Sequence, residues 1–135
     1  MATSTILSNP VVTVNSVDMS DQCTSAVFHV NYNQLTATAF GDVDNKYVKG
    51  LGDHSVDLEF YMSFAAAETW ATLKSLVGTT TTVIVQPSSG AASATNPKLT
   101  LTGTFLAEIP VNFALGELST ATVTFTGGVY SEATS

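Results

Sequence analysis

Asp57 and Glu59, two residues apart, are the pair whose type and spacing could most readily do chemistry. On a strand both would lie on one face, where two carboxylates can share acid and base work or cover a surface with negative charge. No pocket-forming group of aromatic residues accompanies them, so a charged surface is the expected role. A second group, Asp42, Asp44, Asn45, Asp53 and His54, offers donors for a cation. Its spacing fits no calcium loop and the closing glutamate is missing, so a solvated or interface loop is expected and no metal. Cys23 and His29 lack partners at the spacing of a nucleophile and its base, and neither a Gly-x-Ser-x-Gly elbow nor a zinc-binding histidine pair occurs. His29 is expected to be a packed or hydrogen-bonded strand residue. With no convergent set of reactive groups, the chain is expected not to be an enzyme and to need no cofactor.

The elements that must position these residues are mostly strands, because the dominant apolar period is two. Val56, Leu58, Phe60 and Met62 alternate with Asp57, Glu59 and Tyr61. Leu99, Leu101, Gly103 and Phe105 alternate with Thr100, Thr102 and Thr104, and Ala121, Val123 and Phe125 alternate with Thr120, Thr122, Thr124 and Thr126. Threonine is β-branched and half polar, which suits a strand face that is neither core nor freely charged. Shorter strands are expected at Val11–Val14, Ser25–Tyr32, Gln34–Phe40 and Thr80–Gln86. The segment from Ala65 to Val77 differs: Ala66, Trp70, Leu73 and Val77 recur at helical spacing, Lys74 sits in the last turn and Gly78 at the stop. A helix of about three turns is expected there, with Ser63 as N-cap and Trp70 and Leu73 anchoring it in the core. Phe60, Phe64, Phe105 and Phe125 are expected core residues. Gly41–His54 reads as a long loop, Ser88–Pro97 as a small-residue loop, and Met1–Ser8 and Gly127–Ser135 as irregular termini. Tyr47, Val48 and Leu51 in the long loop would be wasted in solvent, which points to a docking role for it.

Length and composition set the bounds. The 135 residues fit one domain able to bury its own core. Apolar residues make up 44% and charged residues only 11%, so Thr, Ser, Ala and Asn cover the surface instead. Such a surface is easily desolvated against neighbouring copies. Eleven acidic residues face four lysines, there is no arginine, and the net charge of −7 argues against specific nucleic-acid binding. A single cysteine excludes an internal disulfide. No secretory signal or membrane-spanning run is read, so folding in a reducing cytoplasm is expected.

Several phrases, in order, resemble the tail-tube (major tail) proteins of long-tailed, siphovirus-type phages, particularly those of actinobacteria. They are Val17-Asp18-Met19-Ser20-Asp21-Gln22-Cys23, Val56-Asp57-Leu58-Glu59-Phe60 before the Ala-rich helix, Thr82-Val83-Ile84-Val85-Gln86-Pro87, and Ser93-Ala94-Thr95-Asn96-Pro97 before a long strand. The resemblance spans about Val11 to Gly127. It implies a mainly β, two-sheet antiparallel sandwich with one flanking helix, as a single domain over residues 1–135. It further implies hexameric rings in which one sheet of each subunit closes an inner barrel. The rings stack around a tape-measure protein, meet tail-end proteins, and pass DNA through the lumen of the virion tail. On this reading Asp57 and Glu59 are lumen-facing, and the loop residues Asp42, Asp44, Lys46, Tyr47, Val48 and Leu51 reach a neighbouring subunit or ring.

A capsid decoration protein or adhesin-like sandwich is the competing expectation. Such a module would present exposed Tyr, Trp or Arg anchors.

Overall fold

Period-two patterning turns most of this chain into strand, and the departures from it bend the strands into two layers. The computed structural model describes residues 10–66, 68–113 and 115–134. In chain order these form β1 (Val11–Val14), β2 (Val17–Asp18), β3 (Cys23–His29), β4 (Tyr32–Thr36), β5 (Tyr47–Gly52), β6 (Ser55–Tyr61), α1 (Thr69–Leu73), β7 (Thr79–Gln86), β8 (Lys98–Leu106), β9 (Thr120–Thr126) and β10 (Val129–Ala133). The expected mainly β, antiparallel fold with a single helix is what is observed. The reading of Met1–Ser8 as irregular lies outside the described residues.

One layer is β3-β6-β9 and the other is β2-β1-β7-β8-β10, all antiparallel. The layers are joined by one long strand. β8 is matched in a single register first by the end of β9, with Leu106 opposite Phe125, and then by β10, through to Lys98 opposite Ala133. β9 and β10 therefore behave as one strand kinked at Gly127–Gly128, lying on β6 before the kink and on β8 after it. Both glycines have positive φ, and a Cβ on Gly128 would meet the Thr102 carbonyl oxygen at 2.8 Å, so only glycine fits there.

The core lies between the layers. Val12 and Val14 of β1, Val83 of β7 and Leu101 and Leu106 of β8 face Val56, Leu58 and Phe60 of β6 and Val123 and Phe125 of β9, with Met19, Leu73 and Leu76 filling the remaining space. Each of these larger side chains contributes about 1.5–3 kcal/mol by leaving water.

Several expectations are corrected. In β8 the alternation reverses midway: Leu101, Thr104 and Leu106 are buried, whereas Phe105 is 41% exposed. The cause is a bulge, because Thr81 pairs with Thr104 but Val83 with Leu101, so Thr102 and Gly103 together oppose Thr82. Gly103 takes φ +75 there, and the extra residue moves every later side chain to the other face. The helix is only five residues long and its buried residues are Thr69 and Leu73. Thr69 Oγ1 donates to the Tyr61 carbonyl at 2.8 Å, which turns that face inward and leaves Trp70 half-buried rather than an anchor. Ser63 is not the cap; Glu68 occupies the N-cap without a side-chain bond, and i→i+3 bonds tighten the chain beyond Leu73. Residues 47–52 of the expected long loop are strand β5, and residues 129–133 of the expected irregular terminus are β10. Phe64 is 54% exposed instead of in the core.

Candidate self-association surface

Three uncovered features stand out, and the first is an arm. β4 and β5 form a hairpin that pairs with no other strand among the described residues. Tyr47, Val48 and Leu51 lie on β5 and Asp42, Asp44 and Lys46 in the connection before it. Lys46 Nζ pairs with Asp42 Oδ1 at 2.8 Å, and Asp42 Oδ2 accepts the Ala39 N–H at 2.7 Å. The lysine, then the amide, hold the Asp42 carboxyl below the usual carboxylate range. This carboxylate thus shapes the connection, and no group of three or more His, Cys, Asp or Glu able to hold a metal occurs among the described residues. Beyond it Phe40 and Val43 are fully exposed, and Leu35, Tyr47, Val48 and Leu51 are exposed along the hairpin.

The root of the arm is held firmly. His54 is buried, and its Nδ1 accepts the Asn31 N–H at 3.1 Å, a bond only the neutral ring can make. Its ring meets Tyr32 edge-on at 5.0 Å and Tyr130 at 5.5 Å, while Lys49 Nζ sits 4.1 Å above the Tyr32 ring. The Asp53 N–H donates to the Asn31 carbonyl at 2.7 Å. The arm is therefore fixed where it leaves the body and unsupported at its tip.

The second feature is the outer face of β3-β6-β9. Asp57 lies opposite Val27 and Thr124, and Glu59 opposite Ser25 and Thr122. Asp57 Oδ1 accepts the Thr124 hydroxyl at 2.7 Å, and Oδ2 lies 3.3 Å from His29 Nε2. That carboxylate is pinned in the middle of the sheet, with Glu59 exposed beside it and a row of β9 threonines alongside. Among the described residues both margins of this sheet are unpaired: β3 pairs only with β6, and β9 from Thr120 to Thr124 likewise. Unpaired edges of this length are templates for another chain.

The third feature was not foreseen from sequence. At the end of β6 and β9 opposite the arm, Phe64 stacks on Phe113 at 6.0 Å and leans on Trp70 at 5.9 Å. Phe113, Leu115 and Leu118 around them are exposed. A cleft of about 380 Å³ also opens beside β1 and β3, lined by Val12, Cys23, Ala26, Val85 and Leu99 among others. Burial pushes the Cys23 thiol up, away from the thiolate a nucleophile needs.

No protein-family model and no curated protein matches the sequence. Solved structures do match in fold. A chain of the sheath–tube complex of the PVC extracellular contractile injection system, in its extended state, is 7% identical with a TM-score of 0.67, over 94% of this chain and 89% of that one. A chain of a native gene transfer agent virion is 11% identical with a TM-score of 0.69, over 93% and 95%. Hcp1 from Flavobacterium johnsoniae is 14% identical with a TM-score of 0.54, over 93% and 99%. This is a tail-tube fold. Within the tail-tube fold, the two free margins belong to one sheet, the arm leaves one end of that sheet, and the aromatic stack caps the other.

Proposed function

We propose that this protein is a non-enzymatic structural subunit that polymerises into the hollow tube of a long-tailed phage, as stacked hexameric rings through which DNA passes. The observation that carries the reading is the β3-β6-β9 sheet: two unpaired margins, a buried apolar inner face and an acidic, threonine-rich outer face, on a tail-tube fold. Joining the β3 margin of one copy to the β9 margin of the next removes both edges at once, and repetition around a ring leaves none. Because β3 and β9 run in the same direction, each seam of a cyclic ring pairs parallel strands. The joined sheets form the inner wall, with Asp57 and Glu59 towards the lumen. Negative charge there keeps DNA phosphates from adhering during transit. A tape-measure protein inside the growing tube and tail-end proteins at its termini complete the set of partners. The subunit waits in the host cytoplasm and ends in the virion tail.

Negative-stain electron microscopy of the purified protein across a concentration series is the direct test. Hollow rings or tubes are expected. Uniform single particles at every concentration would instead favour a decoration or adhesin-like module, for which the exposed Tyr32 and Tyr47 would be the anchors. The lumen assignment has its own test. Asp57→Lys with Glu59→Lys should leave folding and tubes intact but cut DNA ejection at least tenfold. Ejection at the normal rate would remove these residues from the lumen.

A further inference from the structure

The ring of His54 pins the arm root and touches both legs of the hairpin. On the entering leg the Asn31 N–H donates to Nδ1 at 3.1 Å, and the Tyr32 ring meets the imidazole edge-on at 5.0 Å. On the leaving leg a Cβ added to Gly52 would lie 2.6 Å from Nε2, so that backbone rests directly against the ring. Towards the body the ring faces Tyr130 at 5.5 Å, and the His54 carbonyl accepts the Gly127 N–H at 2.8 Å. Only 4% of the residue is exposed.

The ring has two charge states, and only one of them fits these contacts. A neutral imidazole carries one N–H, and because Nδ1 is the acceptor here, that proton is on Nε2. A second proton can go only to Nδ1, where the Asn31 N–H already points. Protonation and the bond to Asn31 therefore exclude one another. Nor do the charged groups around the ring offset a cation. Asp53 precedes it in the chain, Asp57 on β6 bonds His29 and Thr124, and Glu132 on β10 bonds the Tyr130 hydroxyl. None of these carboxylates is within ion-pair distance of His54 among the described residues. Lys49 on β5, with Nζ 4.1 Å from the centre of the Tyr32 ring, opposes a second positive charge there.

We infer that His54 is an acid-operated latch for the arm: the neutral ring clamps the root, and the protonated ring lets it go. The clamped form binds one proton fewer than the released form. Falling pH therefore shifts the balance towards release, and rising pH restores the clamp. The bond from the Asp53 N–H to the Asn31 carbonyl, at 2.7 Å, shares Asn31 with the latch and loosens with it. No other strand pairs with the hairpin among the described residues, so the clamp is what sets its direction. Acid thus frees the exposed Phe40 and Val43 from the one position they hold while the ring is neutral. The latch is a property of the single subunit and holds whether or not copies join into tubes.

Nuclear magnetic resonance of the full chain, isotopically labelled and titrated from about pH 7.5 to about pH 4.5, tests this. The ring nitrogens of His54 report its charge, and hydrogen exchange of the Asn31 and Asp53 amides reports the root. As the ring takes its second proton, protection of both amides, corrected for the intrinsic pH dependence of exchange, should fall at least tenfold. The amides of Leu58 and Val123 in the core strands should keep theirs over the same range. His54→Asn places a carbonyl oxygen that does not titrate near the position of Nδ1, so its root should stay protected throughout. His29→Asn, at the other histidine, should retain the wild-type transition. A wild-type ring that protonates without loss of protection, or that stays neutral down to about pH 4.5, overturns the latch. So does a folded His54→Asn variant that loosens at the wild-type pH. Should that variant not fold, the wild-type titration still decides.

Discussion

Phe60→Ala is expected to lower the free energy of unfolding by about 3–5 kcal/mol, against a typical total of about 5–15 kcal/mol for a domain. Phe60 is completely buried on β6, the middle strand of its layer. Its cross-strand partner on β9 is Ala121 and on β3 Cys23, both small, so neither can collapse into the space the ring vacates. Guanidinium unfolding should show the midpoint falling while the slope stays constant, because the surface exposed on unfolding hardly changes. A loss below about 1 kcal/mol would contradict the position of Phe60 in the core. Phe64→Ala and Phe105→Ala supply the contrast: both side chains are exposed, and each should cost less than Phe60→Ala.

That contrast marks the boundary of what the sequence reveals. Around β6 and β9 the apolar period is uninterrupted, the two strands pair along their whole length, and every inward residue is readable from spacing alone. β8 shows the opposite case. A one-residue bulge at Gly103 costs the chain no change in composition, yet it reverses which side of the strand is inside, and Phe105 passes from core to surface. The helix fails for a related reason. Periodicity assigns its inner face by hydrophobicity, whereas the fold selects Thr69 through a hydrogen bond to Tyr61, a residue on another element. Contacts between elements, rather than propensity within one, decide both.

Replacing residues 33–51 by a two-glycine turn between Tyr32 and Gly52 is expected to leave a folded monomer that forms no tubes at the concentration where wild type assembles. Among the described residues the arm pairs only with itself, contributes no residue to the buried core cluster, and joins the body through Asn31, Asp53 and His54, all retained in this variant. Its removal should therefore shift the melting temperature by only a few degrees. Assembly should move to concentrations at least a hundredfold higher, since the exposed apolar side chains of the arm go with it. Sedimentation velocity across a concentration series reads both states. Tubes forming at the wild-type concentration would show that the arm is not an assembly contact.

The arm was legible as a segment before it was legible as a structure. Gly, Asp and Asn in residues 41–54 conceal a strand, because Tyr47, Val48 and Lys49 are strand-compatible only once Gln34, Leu35 and Thr36 are opposite them. The exposed apolar residues in that segment did single it out. The same reasoning applied to residues 107–119 would have found the aromatic patch, since Phe113, Leu115 and Leu118 follow no period of two or of 3.6 around Gly116. What spacing could not supply is the partner Phe64, which lies 49 positions away and reaches Phe113 only through the turn before α1.

The unbroken register of β8 against β9 and β10 also has a mechanical meaning. A strand that belongs to both layers transmits load between them through its own covalent backbone. A pull on β9 in one layer runs through Gly127 and Gly128 into β10 and is then spread along the ladder to β8, from Thr102 to Lys98. Hydrogen bonds loaded this way act in shear, many at a time, instead of opening one after another. The two layers of the subunit can therefore neither slide past one another nor peel apart without tearing that ladder, and a cylinder built from such units would resist bending through its subunits as well as through the seams between them.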